Sequence, residues 1–421
     1  MKSWSILQYN AYKVRLDSMF RFVTETFHRL IEGLDFPQSR YLYPFFNLNN
    51  RLTGLVGPRG VGKTTLLLQF IKNELYQEGK SFYFSADLIY FQQTTLLEFV
   101  SDLHLIEGYH TIFIDEIHKY QGWNQELKNI YDSFPSLKIV FSGSSMLDLI
   151  EGSHDLSRRA KLYRLHGLSF REYLNFSLGL HLQPTSFEAI LENPVASLGQ
   201  LRGVERVMPH FDEYIEKGYY PFVFEDPDSY YEKVSRVIEK TIFEDIANYY
   251  NLKTPNLNYF KKLLTYLASI PPGDLNMNNL AKHLGIDHKT VEHYISILAS
   301  VGLVREMRPY EGGGAGLRKP SKILLNNTNL IHTLQQYLGQ KPSKGMEREL
   351  FFVQSLQNAD VEVFYSKQAD YRTRDVVFEI GGKNKTRYQL QGLKEPSYLV
   401  KSDILRPLKG EIPLFLFGFL Y

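Results

Sequence analysis

The eight residues Gly57 to Thr64, GPRGVGKT, constrain this chain more than any others. They form a complete GxxxxGK[ST] loop between an apolar run, LTGLVG, and an amphipathic stretch, KTTLLLQFIKNELYQ. A strand that enters such a loop and leaves it as a helix is the context the motif requires. Gly57, Gly60 and Gly62 permit backbone dihedrals that turn successive N–H groups onto phosphate oxygens. The helix that follows adds the positive end of its dipole. Lys63 is placed to reach the β and γ phosphates and Thr64 to hold Mg²⁺. Pro58, Arg59, Val61 and Thr65 belong to the same expected nucleotide-binding stretch. ATP and Mg²⁺ are therefore the expected cofactors.

From about Arg51 to Tyr163 short apolar runs alternate with longer amphipathic segments. The runs are LTGLVG, SFYFSA, TIFIDE and KIVFSGSS. Such alternation predicts a parallel sheet wrapped by helices, an α/β fold of P-loop type. TIFIDE ends on Asp115 and Glu116. An Asp at the exposed end of an apolar strand can hold Mg²⁺ through water, and a Glu beside it can deprotonate an attacking water. The next run ends in Ser142, Gly143, Ser144 and Ser145, where a polar residue would face the γ-phosphate or cap a helix. Arg158 and Arg159 follow, either of them a candidate γ-phosphate-sensing finger or a surface pair.

GPRGVGKTTLL, TIFIDEIHKYQGW, KIVFSGSS, DLSRRA and GLSFREYL occur in this order. Together they resemble a prokaryotic subgroup of AAA-type ATPases, single chains with an ATPase domain and an uncharacterised C-terminal domain. FDEYIEKGYYPF and FEIGGKNK extend the resemblance over most of the chain. It implies Lys63 and Thr64 on phosphate and magnesium, and Asp115 and Glu116 as the second acidic motif. It further implies Ser144 as a polar sensor and Arg159 as an arginine finger.

The expected organisation is an N-terminal helical segment (1–50), the ATPase core (51–165), a helical lid and connector (166–254), a winged helix-turn-helix (255–335) and a small nuclease-like α/β domain (336–421). Phe20, Phe22, Val23, Phe27, Leu30 and Ile31 recur at helical spacing in the first segment. Between Asn276 and Arg305, Leu280, Ala281 and Leu284 fit a first helix, Gly285 the tight turn and Asp287 an N-cap. Val291, Tyr294, Ile295 and Leu298 fit a second helix, with Lys289 facing outward. The Gly-rich stretch at 311–321, with Arg318, then reads as a wing. Residues 255–320 hold five Lys and three Arg against five acids, a mild charge for a DNA-binding surface.

In the last segment Glu349, Asp370, Glu379 and Lys383 follow the order of the restriction-endonuclease-like fold, which the segment resembles. There carboxylates bind Mg²⁺ and a Lys supports the nucleophilic water. The usual spacing is Glu-x-Lys, but position 381 is Gly, so Lys383 would have to act from further on. That departure predicts a degenerate site used for binding or assembly.

The absence of Cys excludes disulfide scaffolds, thiolate metal sites and Cys nucleophiles. A net charge of +2 excludes a polycation. The first residues lack the apolar core of a signal peptide, and a cytoplasmic protein is expected. The C-terminal run IPLFLFGFLY is too short for a bilayer and reads as a buried strand. The expected function is a Mg-dependent ATPase whose nucleotide state controls a module that binds DNA or protein. A further copy of the chain is an expected partner, and no membrane is. The competing readings are a nucleotide-switched DNA-binding regulator with little turnover and an ATP-dependent nuclease in defence or repair.

Overall fold

The computed structural model describes residues 20–35, 37–144, 156, 158–271, 276–310, 322–366 and 368–421. Ser145 and the wing segment with Arg318 lie outside these residues. Two compact units divide the chain. The first takes residues up to Gly57 together with Gly62–Leu165, and the second takes Pro58–Val61 and His166–Tyr421.

The first unit is built on five parallel strands: β1 (Leu52–Val56), β2 (Ser81–Ser85), β3 (Thr111–Asp115), β4 (Lys138–Gly143) and β5 (Ala160–Arg164). Their spatial order is β2-β3-β4-β1-β5. Every residue of β1 is buried, which explains why its sequence runs apolar without alternation. Helix α1 covers residues 20–32. Its Val23, Phe27 and Ile31 are buried at a spacing of four, while Phe22 and Leu30 face water. Phe27 packs on Phe82 of β2, with ring centroids 5.3 Å apart. The expected helical segment therefore ends near Gly33, whose N–H closes on Arg29 O at 3.0 Å. Helices α2 (Lys63–Phe70), α3 (Leu96–Leu105) and α4 (Trp123–Ser133) fall between strands. Register aligns Val56 with Gly143 and Arg164 at one edge of the sheet, and Leu52 with Ile139 and Ala160 at the other. The C-terminal edge is where open α/β sheets bind ligands, and the GPRGVGKT loop leaves β1 there.

In the second unit, the helix Met277–Leu284 begins on the Asn276 side chain and stops at Gly285, whose φ of 68° is the left-handed conformation glycine adopts freely. Asp287 caps the helix His288–Ser300 by accepting from Thr290 N at 3.0 Å. The antiparallel pair β6 (Val304–Met307) and β7 (Lys322–Leu325) follows. A buried polar network fixes this region. The Asn329 carbonyl accepts from Tyr219 N at 2.7 Å and from the Tyr230 hydroxyl. Its amide donates to Ile215 O at 2.8 Å, and Arg305 donates to Asn358 Oδ1 at 2.7 Å. Buried polar groups satisfied in this way are tolerated in a core.

A mixed sheet closes the chain, ordered β12-β11-β10-β9-β8. Its strands are β8 (Phe364–Tyr365), β9 (Tyr371–Arg372), β10 (Val377–Gly381), β11 (Ser397–Lys401) and β12 (Glu411–Pro413). The helix Lys344–Asn358 packs Phe352 against Phe378 and Phe417, at 5.1 and 4.8 Å between centroids. The C-terminal apolar run is not a strand: Leu414–Phe419 is a 3₁₀ helix with every residue buried. Its apolar side chains meet partners on all sides, such as Phe170 against Phe419 at 5.9 Å. Apolar runs of this length do not distinguish a buried strand from a buried helical turn.

Candidate functional site

The loop has the backbone its sequence demands. Gly60 and Gly62 stand at φ 78° and 92°. A Cβ on Gly57 would fall 2.2 Å from Leu165 O, so no larger residue fits. Lys63 is buried and donates from Nζ to Gly57 O at 2.9 Å, closing the loop over its own start. Helix α2 begins at Lys63 with no side-chain cap, and a helix N-terminus turns its N–H groups and positive dipole end toward an anion. Thr64 and Thr65 follow on its first turn.

Asp115 is the hub beside that turn. Its Oδ2 accepts from Thr64 Oγ1 at 2.6 Å and from the Tyr83 hydroxyl at 2.7 Å. Its Oδ1 accepts from Ser142 Oγ and, at 3.1 Å, from Glu116 N. Three strands thus converge on one carboxylate, because β3 lies between β2 and β4. Burial and the Asp115 charge push the Tyr83 phenol well above its ordinary value, so it stays a donor. A hydroxyl and a carboxylate this close are the oxygen donors Mg²⁺ prefers, and the donor set fits Mg-ATP.

Glu116 adopts a left-handed conformation, φ 52°, which costs a non-glycine residue about 1–3 kcal/mol. Its N–H is held by Asp115 and by Ser142 Oγ at 3.2 Å. The carboxylate oxygen Oε2 is buried and accepts no hydrogen bond among the described residues; His118 Nε2 lies 3.4 Å away. A carboxylate kept in this way can accept a proton from water. Ser144, the expected sensor, is buried just beyond β4 with its hydroxyl unbonded among the described residues. The hydroxyl that touches the acidic pair is Ser142. Arg159 precedes Ala160 at the opposite edge of the sheet, 3.5 Å from Asp132 and over the Tyr131 ring. Arg158 is exposed.

Pro58–Val61 belong to the second unit, and Arg59 shows why. Its Nε and Nη2 donate to both oxygens of Asp245 at 2.7 and 2.8 Å, and Nη2 reaches Glu244 at 3.1 Å. Asp245 lies on the π-helical turn Thr241–Ile246.

Of the nuclease-like acids, Glu379 meets a lysine, but a different one. Glu379 on β10 is buried, and Lys385 Nζ lies 2.6 Å from its Oε1. Lys383 is exposed, and the lysine that reaches Glu379 is Lys385. The turn after β10 points residue 385, not 383, back over the strand. Asp370 Oδ2 accepts from Ile380 N at 2.7 Å. Burial, together with Glu379 and Glu349, pushes its carboxyl up to about 6. Glu349 is engaged elsewhere, accepting from Lys322 at 2.6 Å and Tyr371 at 2.8 Å. Ser142 was legible as one of the polar residues that end the β4 run, though not as the one that meets Asp115; Tyr83, His118, Lys322 and Lys385 were not legible as site residues. Only the tyrosine's place in the run beside TIFIDE gave any signal.

Residues 49–174 match a family model described as an AAA domain, and residues 208–343 match one described as a domain of unknown function. An uncharacterised protein of Methanocaldococcus jannaschii is 29% identical over 290 residues, 66% of this chain and 61% of that one. The chain thus spans about three fifths of the curated relative it matches. Among solved structures, the ORC1 protein of Aeropyrum pernix in complex with DNA aligns over 73% of this chain and 91% of its own, at 13% identity and a TM-score of 0.31. AMPPCP-bound DnaA from Aquifex aeolicus aligns over 64% and 90%, at 17% identity and a TM-score of 0.27. The five-stranded parallel sheet with its loop and helix is a P-loop nucleoside triphosphatase fold. Among the described residues no helix is long and apolar enough to cross a membrane.

Proposed function

We propose that the first unit binds Mg-ATP and hydrolyses it. The observation that carries this reading is the convergence of Lys63, Thr64, Asp115 and Glu116 at the C-terminal edge of one sheet. Lys63 leaves Gly57 O for the β and γ phosphates. Thr64 and Asp115 hold the magnesium ion, which neutralises phosphate charge when bound. Glu116 takes the proton of the attacking water. Arg159 serves the nucleotide of a neighbouring copy, because its own site lies across the sheet.

A thermal-shift measurement tests binding. Mg-ATP at 100 times Kd should stabilise the nucleotide-binding state by about 2.7 kcal/mol. Lys63→Ala should abolish the shift, because the β and γ phosphates lose the Lys63 ammonium, while Arg59 is held by Asp245 and Glu244. Equal shifts in wild type and variant would reject the reading.

A second reading concerns the output. The helix pair 277–300 and its following hairpin suit a winged helix-turn-helix with Lys289 exposed on the second helix. Nucleotide state would then govern contact with DNA. Lys289→Ala should lower the log–log salt slope of DNA binding by ~1. Affinity indifferent to salt would point to a protein partner.

A further inference from the structure

We propose that Arg59 is a positioning residue for the nucleotide: clamped by Asp245, it holds the middle of the phosphate loop in its binding shape, so that ATP affinity depends on the π-helical turn Thr241–Ile246. The inference rests on the Mg-ATP reading of the loop and goes beyond it. The loop motif asks for its glycines, Lys63 and Thr64, and nothing in that pattern requires an arginine at 59.

The loop is anchored along its length. At its start, Gly57 has no room for a side chain against Leu165 O, and its carbonyl accepts from Lys63. At its end, Gly62 leads into helix α2. The residues between, Pro58–Val61, belong to the second unit. Gly60 lies against an apolar wall there. A Cβ on it would fall 3.0 Å from Phe222 Cε1, 3.4 Å from Val237 Cγ2 and 3.5 Å from Tyr220 Cδ1. Phe222 and Tyr220 stack with ring centroids 5.3 Å apart. Apolar contact of this kind is non-directional. Arg59 adds the direction, because a planar fork on both oxygens of Asp245, at 2.7 and 2.8 Å, fixes orientation as well as distance.

The same contacts keep Arg59 off the phosphate. The Asp245 side chain is 1% exposed, so a guanidinium that left it would strand a buried carboxylate. Glu244 stands at 3.1 Å on the same guanidinium. Two carboxylates around one cation leave the cluster negative, which repels phosphate. Both acids come from an irregular piece of helix. The π turn Thr241–Ile246 joins the helices Tyr230–Lys240 and Ala247–Tyr250, and Thr241 Oγ1 donates back to Val237 O at 2.8 Å. A hydroxyl bonded in this way bends a helix, and π turns occur frequently at functional sites. Coupling through the clamp is reciprocal: what the turn adds to nucleotide affinity, bound nucleotide adds to the turn.

The experiment uses the full chain carrying Glu116→Gln, so that nucleotide is not consumed, and follows the binding of fluorescent methylanthraniloyl-ATP with Mg²⁺. Circular dichroism confirms that each variant is folded at the assay temperature. Arg59→Ala and Asp245→Leu should each raise Kd on the order of 10-fold. The double variant should raise it no further, because both changes remove the same clamp. Amide hydrogen exchange across residues 241–250 should slow in saturating Mg-ATP, and the slowing should vanish in Arg59→Ala at saturation. A loss confined to Arg59→Ala would make Arg59 a phosphate ligand and overturn the proposal. Losses that multiply to about 100-fold in the double variant, variants that bind as tightly as their parent, or exchange that ignores nucleotide would overturn it too. A parent chain that binds no nucleotide would instead sink the Mg-ATP reading, and the role of the clamp with it. Should Arg59→Ala fail to fold with Asp245 stranded, the double variant leaves no carboxylate at 245, and a Kd above that of Asp245→Leu alone would overturn the proposal.

Discussion

Arg159→Ala should lower ATP turnover through a neighbouring copy of the chain and not through its own site. Arg159 directly precedes Ala160, which pairs with Leu52 at the start of β1. The phosphate loop begins after Val56, at the other end. Five residues at ~3.3 Å each put roughly 16 Å of strand between them, well beyond the reach of an arginine side chain. Within its own chain the guanidinium rests against Asp132 and Tyr131. An arginine finger contributes about 10³-fold or more to turnover, so its loss is easily read by phosphate release. Specific activity should rise with protein concentration as copies associate. Mixing Arg159→Ala with Lys63→Ala chains should restore part of the turnover, since one brings an intact loop and the other an intact finger. Concentration-independent activity with no rescue on mixing would refute the reasoning and leave Arg159 as a structural ion pair.

Tyr83→Phe removes one donor from Asp115 while Thr64 and Ser142 remain. A hydrogen bond to a charged group contributes about 1.5–3 kcal/mol, and the first unit should lose about that much. Both tryptophans, Trp4 and Trp123, precede residue 165 in the sequence, so the urea midpoint by tryptophan fluorescence reads this unit; an unmoved midpoint contradicts the hub. Arg59→Ala breaks a partly buried ion pair and should destabilise the second unit by about 3 kcal/mol, read by tyrosine near-UV circular dichroism. A change within error would show that the pair contributes nothing there. Asp370 titrates at about 6 in the folded chain against an ordinary value of 3.8. Protonation therefore favours the folded state: this contribution is full below pH 3.8 and is lost as pH rises through 6. Asp370→Asn should flatten that part of the second unit's stability profile between pH 4 and 7, and an unchanged slope would place the titration elsewhere.

The loop and the two acids were legible because their chemistry is local: eight consecutive residues make the cradle, and Asp115 and Glu116 end one apolar strand. The helix pair was legible too, since Gly285 and Asp287 stop one helix and start the next within three residues. What stayed hidden depends on contacts between distant segments. The run SGSS does not say which hydroxyl meets Asp115, because Ser142 and Ser144 share a strand face and only the end of β4 separates them. Arg59 meets Asp245 across 186 positions. Lys385 is invisible to a search for Glu-x-Lys, because a turn, and not strand spacing, brings it to Glu379. The C-terminal run failed for another reason: where every side is buried, periodicity vanishes, and strand and 3₁₀ helix look alike in sequence.

The most direct test of the central claim is single-turnover hydrolysis of γ-labelled ATP with Mg²⁺ by the full chain, wild type against Glu116→Gln, at protein in excess over nucleotide. The account predicts label release by the wild type and a loss on the order of 10²–10⁴-fold in the variant, with bound ATP retained on the filter in both. A wild type that binds ATP and never releases phosphate, or a Glu116→Gln chain that releases it at the wild-type rate, would contradict it.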